Sequence, residues 1–282
     1  MIKFVIITRH KPGLTRERFF YEWAFIHVSL MVHTASSMRR FQRYVQHFVN
    51  PDIADEKRLL PHPDKDWENY AEHWLERFEA YAPAPDYADI MRPHSFSDSE
   101  MEIVYQEGTT VYRRADFHSG GVKLIHRLAR RPGLLTEEFR RLWQEKHVPL
   151  AIATLRDKGL RKYEVNLPHD IDLVALRASR KGSLFDQAEV NSADGFEELW
   201  FDSLEDAMRA GSDPLLRQLL RPSLETFVDT ERSYSMFANE RVVIDFVTPG
   251  EMTPLPAVLN ESSLESRLFQ NGRPYHEPRP AS

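Results

Sequence analysis

Cysteine is absent from the 282 residues, which excludes disulfides, thiolate metal sites and cysteine nucleophiles. Long apolar runs are missing as well. Nothing approaches the roughly 18 residues of a membrane span. The opening Met1–His10 has too short an apolar run, and no small-residue cleavage site, to read as a signal peptide. The expectation is a soluble, cytoplasmic protein with no membrane partner. No basic block occurs: 37 Lys and Arg against 43 Asp and Glu give a net charge of -6, and the arginine pairs lie among acids as solvated surface. Nucleic acid is therefore not the expected partner. No HExxH, P-loop, G-x-G-x-x-G or G-x-S-x-G pattern appears. His27 and His33 point in different directions around one helix, so no metal site is expected. No cofactor is expected either, although a haem held by one histidine needs few local motifs and is left open.

What is present is a chain with 41% hydrophobic and 11% aromatic residues, enough to bury a substantial core. It also repeats itself. Residues 3–34 slide onto 123–154, and within 12–30 nine of nineteen positions are identical, including Pro12/Pro132, Phe19/Phe139, Trp23/Trp143, His27/His147 and Leu30/Leu150. Tyr44 then falls opposite Tyr163, and Asn69–Trp74 opposite Gly195–Trp200.

Each copy reads alike. A short apolar strand (Phe4–Thr8; Val122–Leu128) meets a Pro-Gly turn. A helix then starts at a capping Thr15 or Thr136. Strands follow around Tyr44 or Tyr163 and over Tyr70–Leu75 or Phe196–Phe201. A second helix (Arg77–Met91; Leu204–Leu220) and a last strand (Glu102–Tyr105; Arg241–Phe246) close the copy. That order predicts an α+β protein of two tandem ferredoxin-like β-α-β-β-α-β units, packed sheet to sheet as a pseudo-symmetric barrel. The expected boundaries are 1–115 and 121–247, with the link over 107–121 and an extended arm over 248–282. A homodimer through that arm is left open.

The run Lys123–Leu150, with Arg-Arg-Pro-Gly-Leu-Leu-Thr-Glu-Glu-Phe at its centre and Trp143 and His147-Val-Pro-Leu near its end, resembles the opening of an EthD-type domain of the dimeric α+β barrel superfamily. Lys11–Leu30 carries the same pattern, with Ser29 where the family usually has proline, so the second copy is the better-formed domain. Glu198–Ala207 resembles the family's third strand and following helix. The resemblance implies a barrel built from two halves. It also implies membership of a superfamily that includes cofactor-free monooxygenases, isomerases, polyketide cyclases, dehydratases and decarboxylases, besides haem enzymes.

Candidate chemistry starts with His27 and His147. Phe139, Trp143 and His147 sit at i, i+4 and i+8, a drift of about 80°, as do Phe19, Trp23 and His27. Each histidine should therefore look toward its own sheet, as an acid/base or as a structural tie. His126 and Arg127 replace Ile6 and Ile7 in the first strand, and His73 replaces Leu199 in the third. Polar groups mid-strand cost free energy unless bonded, and so mark a candidate site. Arg127 would hold a carboxylate or phenolate. Tyr163 and Tyr44 would polarise a carbonyl. Glu198 shares a strand face with Trp200, and both, with Trp143, would line the substrate. Trp67, His62, His169 and Asp186 lie in the long loops 50–68 and 167–194, expected as lids.

Together these features predict a cofactor-independent lyase for a small, apolar, aromatic or polyketide-like compound. A cofactor-free monooxygenase and a non-catalytic binding protein are the alternatives.

Overall fold

Strand length decides the architecture. The computed structural model describes residues 1–33, 41–77, 96–181, 185 and 187–248. In the first half, β1 (Ile2–Thr8) leads to α1 (Arg16–Tyr21), a π turn (Glu22–His27) and α2 (Val28–His33). β2 (Phe41–Val49), β3 (Asn69–Leu75) and β4 (Glu102–Arg113) follow. The second half runs β5 (Gly121–Leu128), α3 (Thr136–Arg141), a π turn (Leu142–His147), α4 (Val148–Leu155), β6 (Leu160–Pro168), α5 (Leu173–Arg180) and β7 (Glu189–Val190). It ends with β8 (Gly195–Phe201), α6 (Leu204–Ser212), α7 (Pro214–Glu225) and β9 (Tyr234–Asp245).

The expected pair of ferredoxin-like units packed face to face does not form. Eight strands close into one antiparallel barrel in the order β1-β3-β2-β9-β5-β8-β6-β4 and back to β1, with short β7 beside β4. The reason is that β4 and β9 are each 12 residues long, far beyond the short final strands expected. The start of β4 pairs with β1, while its continuation past Gln106 pairs with β6 of the other half. Correspondingly, β9 pairs with β5 along its start and with β2 along its end. Each half donates its last strand to both sides of the ladder, so no two separable sheets exist. Closure also removes open sheet edges.

Residues 107–113 are thus strand, and the connection between halves shrinks to 114–120. The expected helix at Leu204–Leu220 is broken at Asp213, which caps α7 by accepting from Leu215 N and Leu216 N. Thr15 caps α1, but in the second half Leu135 takes that place without a side-chain bond, and Thr136 is already helical. The expected helix Arg77–Met91 lies outside the described residues apart from its first residue. Among the described residues no helix is long and apolar enough to cross a membrane.

Alternation along each strand divides side chains between the barrel interior and the outer, helix-facing side. The outer core of the second half gathers Phe139, Trp143, Leu199, Leu220 and Phe237, and receives Leu59 and Leu60 from the 50–68 loop of the first half. Reciprocally, Leu176 and Phe185 from the second half pack onto Phe4, Ile103 and Tyr105 of the first. The long loops are therefore cross-braces between halves.

Candidate functional site

Two clusters form on the outer faces, at matching places in the two halves, and the interior holds a third group of polar residues. The histidines do face their own sheets. Phe139, Trp143 and His147 are all buried, as are Phe19, Trp23 and His27. A π turn precedes each histidine. Such insertions are rare and frequent at functional sites. Nothing in the sequence pattern distinguished these turns from ordinary helix.

In the second half, four of the expected residues converge on one that sequence reasoning missed. Glu197, on β8, accepts from His126 Nδ1 (2.6 Å), Trp143 Nε1 (2.9 Å) and the Tyr163 hydroxyl. His147 places Nε2 3.8 Å from Glu197 Oε1, and its Nδ1 is 3.0 Å from Ser223 Oγ. All five side chains are buried. Burial alone would push the Glu197 carboxyl up. The hydrogen bond from His126, the two nearby imidazoles and the Tyr163 bond outweigh it and bring the group down to about 2. His147 shifts down, because burial disfavours its cation more than Glu197 favours it. Since Glu197 is a carboxylate, His126 donates from Nδ1. Its Nε2 is buried with no hydrogen-bond partner among the described residues.

The first half has the same frame with different contents. Ile6 stands at the place of His126 and Ala71 at the place of Glu197. Instead of a packed network, a small recess lies there, lined by Ile6 and Ala71 and walled by Trp23, Phe96, Met101 and Phe185. His27, Tyr44 and His73 also line it, with Thr8, Asn69 and Ser97. Phe185 comes from the 167–194 loop, so one loop does reach a site. Trp67, by contrast, packs into the barrel interior with Ile7 and Phe196. His62 bonds its neighbour Pro63 through Nδ1, His169 meets Glu107 at the surface, and Asp186 lies outside the described residues.

Bonding fixes how two recess residues present themselves. His73 Nδ1 lies 3.2 Å from the Phe4 carbonyl oxygen, which can only accept. Nδ1 therefore carries the hydrogen and Nε2 the lone pair. Burial, partly opposed by that bond and by Glu72, takes His73 down to about 4. Tyr44 receives a hydrogen bond from Gln46 Nε2 (3.2 Å), which also donates to the Trp23 carbonyl (3.1 Å). The phenol keeps its own hydrogen to give, and burial raises its pKa. The two rings are nearly parallel, 4.6 Å between centroids and 11° apart.

The remaining expected residues face the interior. Arg127 is next to His126 in sequence but on the opposite face of β5, where it donates to Glu102 (2.9 Å), Ser192 and the Arg232 carbonyl. It does not join the histidines. Glu198 and Trp200 do share a face, but that face is the interior. Glu198 is held by Lys123 (2.9 Å), Lys3 (3.4 Å) and the Tyr70 hydroxyl (2.8 Å), and Trp200 donates to Glu240 (2.7 Å). Lys123 also contacts Glu72 at 3.0 Å, and Lys3 binds Glu164. These buried groups pair lysines and carboxylates across the halves, and burial followed by the neighbouring Glu72 charge pushes the Glu198 carboxyl up.

No curated protein matches the chain significantly. Among solved structures, two proteins each described as a "putative monooxygenase" are similar. The one from Lactobacillus acidophilus has 9% identity and a TM-score of 0.44, covering 86% of this chain and 94% of that one. The one from Fusobacterium nucleatum has 8% identity and a TM-score of 0.43, covering 86% and 91%. An aldoxime dehydratase solved with butyraldoxime matches at 7% identity and a TM-score of 0.26, covering 86% and 79%. At such scores and identities these likenesses assign no chemistry to the chain. The EthD domain profile matches residues 11–94 and 131–231, well over half of the sequence and in both halves of the barrel, and the chain belongs to the EthD domain family.

Proposed function

We propose that the chain is an acid/base enzyme of lyase type that needs no cofactor and works on a small, largely apolar, aromatic or polyketide-like compound in the first-half recess. One observation carries this reading: among the described residues lining the recess, His73 presents Nε2 as an acceptor and Tyr44, stacked on it, presents its hydroxyl as a donor. Tyr44 would donate to a substrate carbonyl and acidify the adjacent C–H. His73 would take that proton. The electron pair left on carbon would form the new double bond as a β-substituent departs, and His73 would return the proton to the leaving group. A histidine held near 4 is fully in its basic form at neutral pH but is a weak base. It therefore suits a proton already made acidic by a polarised carbonyl. His27, on the recess wall, is the second candidate proton carrier. Under this reading the second-half cluster around Glu197 is structural.

The test is turnover of β-hydroxy ketones and phenolic or polyketide-like acids by the full-length protein, with product and oxygen uptake followed together. His73→Phe and Tyr44→Phe should each lower turnover by about 10²-fold or more. Turnover indifferent to both would sink the assignment. Oxygen consumed in step with product would move the chain to the monooxygenases, and tight binding without turnover would make it a binding protein.

A further inference from the structure

We infer that one row of the first-half helix, Arg18, Tyr21, Phe25 and Ile26, is an intramolecular docking face, and that its occupant is the chain's own C-terminal segment around residues 264–269. The inference goes beyond the proposed function, since none of the four side chains is among those lining the recess.

The repeat supplies the contrast. At the offset of 120, the row falls opposite Glu138, Arg141, Glu145 and Lys146. Those four are charged and exposed, the face that an amphipathic helix turns to water. They stay exposed although α7 packs against the π turn and α4, so in that copy the second helix does not cover the row. In the first half the same positions are aromatic and apolar, with Tyr21 49% and Ile26 43% exposed. The row is also stacked. The Arg18 guanidinium lies 5.4 Å from the Tyr21 ring centre, the Tyr21 and Phe25 centroids are 5.6 Å apart, and the Arg241 guanidinium lies 5.7 Å from Phe25. Arg18 is held in turn by Glu22. Tyrosine, phenylalanine and arginine fixed in this way are the composition of an interface, not of solvated surface.

Three observations choose the occupant. The first is where the chain goes. Arg241, on β9, donates to the Ala24 carbonyl (3.2 Å), so β9 runs beside this helix. Only residues 242–248 separate Arg241 from the last described residue, and residues 249–282 follow. The stretch from 249 to 264 reaches about 50 Å when extended, ample to return along β9. The second is pattern. Ser262-Ser-Leu-Glu265 is a capping box and Asn271-Gly272 a stop signal. Between them Leu264 and Leu268 stand at i, i+4 with Phe269 beside them, which makes one apolar stripe of a short helix. The third is charge. Residues 249–266 carry Glu251, Glu261 and Glu265 and no lysine or arginine, complementary to a row that begins at Arg18 and ends at Arg241. A second copy is the weaker occupant. Tyr21, Phe25 and Ile26 are far fewer than the roughly 20–30 residues a side of a stable interface. A tethered segment needs less, because its effective concentration is on the order of millimolar.

Photocrosslinking of the full-length chain tests this. p-Benzoylphenylalanine replaces Tyr21 and, separately, Ile26, both exposed positions. An equal mixture of heavy-isotope and unlabelled chains is irradiated, and the linked peptides are mapped by mass spectrometry. Both positions should capture peptides from 249–282, in pairs of a single isotope. Leu264→Asp combined with Leu268→Asp, outside the barrel, should lower that yield about tenfold or more. Mixed-isotope pairs would give the face to a second copy and overturn the inference. Tail peptides missing at both positions would also overturn it, as would a yield indifferent to the two aspartates. The same probe at Arg141, in the charged row, capturing the tail equally well would show no preference for this face and sink the assignment.

Discussion

Replacing Glu197 probes the tightest polar cluster in the molecule. Three buried donors end on its carboxylate: His126 Nδ1, Trp143 Nε1 and the Tyr163 hydroxyl. Glu197→Leu strands all three, at roughly 1–3 kcal/mol each, for a total of roughly 3–9 kcal/mol. Against a typical stability of roughly 5–15 kcal/mol, that variant sits at the edge of folding. Glu197→Gln is the sharper test. It keeps an oxygen for Trp143 and Tyr163 but turns charge-assisted bonds into neutral ones. It also requires His126 Nδ1 to accept from the new amide instead of donating. The expected cost is about 2–4 kcal/mol. Urea unfolding followed by tryptophan fluorescence and circular dichroism would read it at pH 7. A pH series then checks the sign. The folded carboxyl is depressed to about 2 from 4.5, so its contribution is complete above pH 4.5 and is lost as pH falls toward 2. Over that window wild type should lose up to about 3 kcal/mol more than the Gln variant. A Gln variant within about 0.5 kcal/mol of wild type at pH 7, a spread ordinary for surface changes, would refute the account of Glu197 as the acceptor that orders this face.

Three further outcomes follow from other parts of the barrel. His73 is buried neutral, with a folded value near 4 against 6.5. The unfolded chain therefore takes up a proton that the folded one refuses as pH drops from 6.5 to 4. His73→Phe should lose about 3 kcal/mol less stability than wild type over that interval in denaturant titrations. Lys123→Met leaves Glu72, Glu198 and Glu240, at 3.0, 2.9 and 3.4 Å, without their shared cation. A loss of about 3–5 kcal/mol is expected by urea unfolding. Phe185→Ala removes a second-half wall of the first-half recess. It should cost about 3 kcal/mol in thermal unfolding.

The repeat, most strand and helix starts and the sheet-facing histidines were legible because identity and spacing carry them. His27, Trp23, His147 and Trp143 lie where an offset of 120 places them. The end of β4 and the start of β9, which begins at Tyr234 rather than at the expected Arg241, were not legible. Glu107–Arg113 is largely exposed, so it has no apolar alternation to mark it as strand, and its pairing with β6 depends on the other half. Together with the missed start of β9, that hid the closure of the barrel. The site calls divided by strand phase. His126, Tyr163, Trp143 and His147 share the outer face, whereas Arg127, Glu198 and Trp200 share the inner one. Once the barrel is closed, the inner face is an ion-paired core. Glu197 was overlooked beside Glu198 because two adjacent glutamates look alike in a sequence. Its signal was the phase: Glu197 alternates with Leu199 and pairs across to His126, the residue already singled out.

The asymmetry between halves comes down to two substitutions within one frame. With Glu197 and His126 present, the indole and phenol of the second half find a carboxylate, and the space between helix and sheet is filled. With Ala71 and Ile6 in those places, Tyr44 turns to Gln46, His73 enters from the next position along β3, and the same space is left as a recess. The two outcomes are mechanically linked, since β4 and β9 belong to both halves and Phe185 crosses from one to line the other.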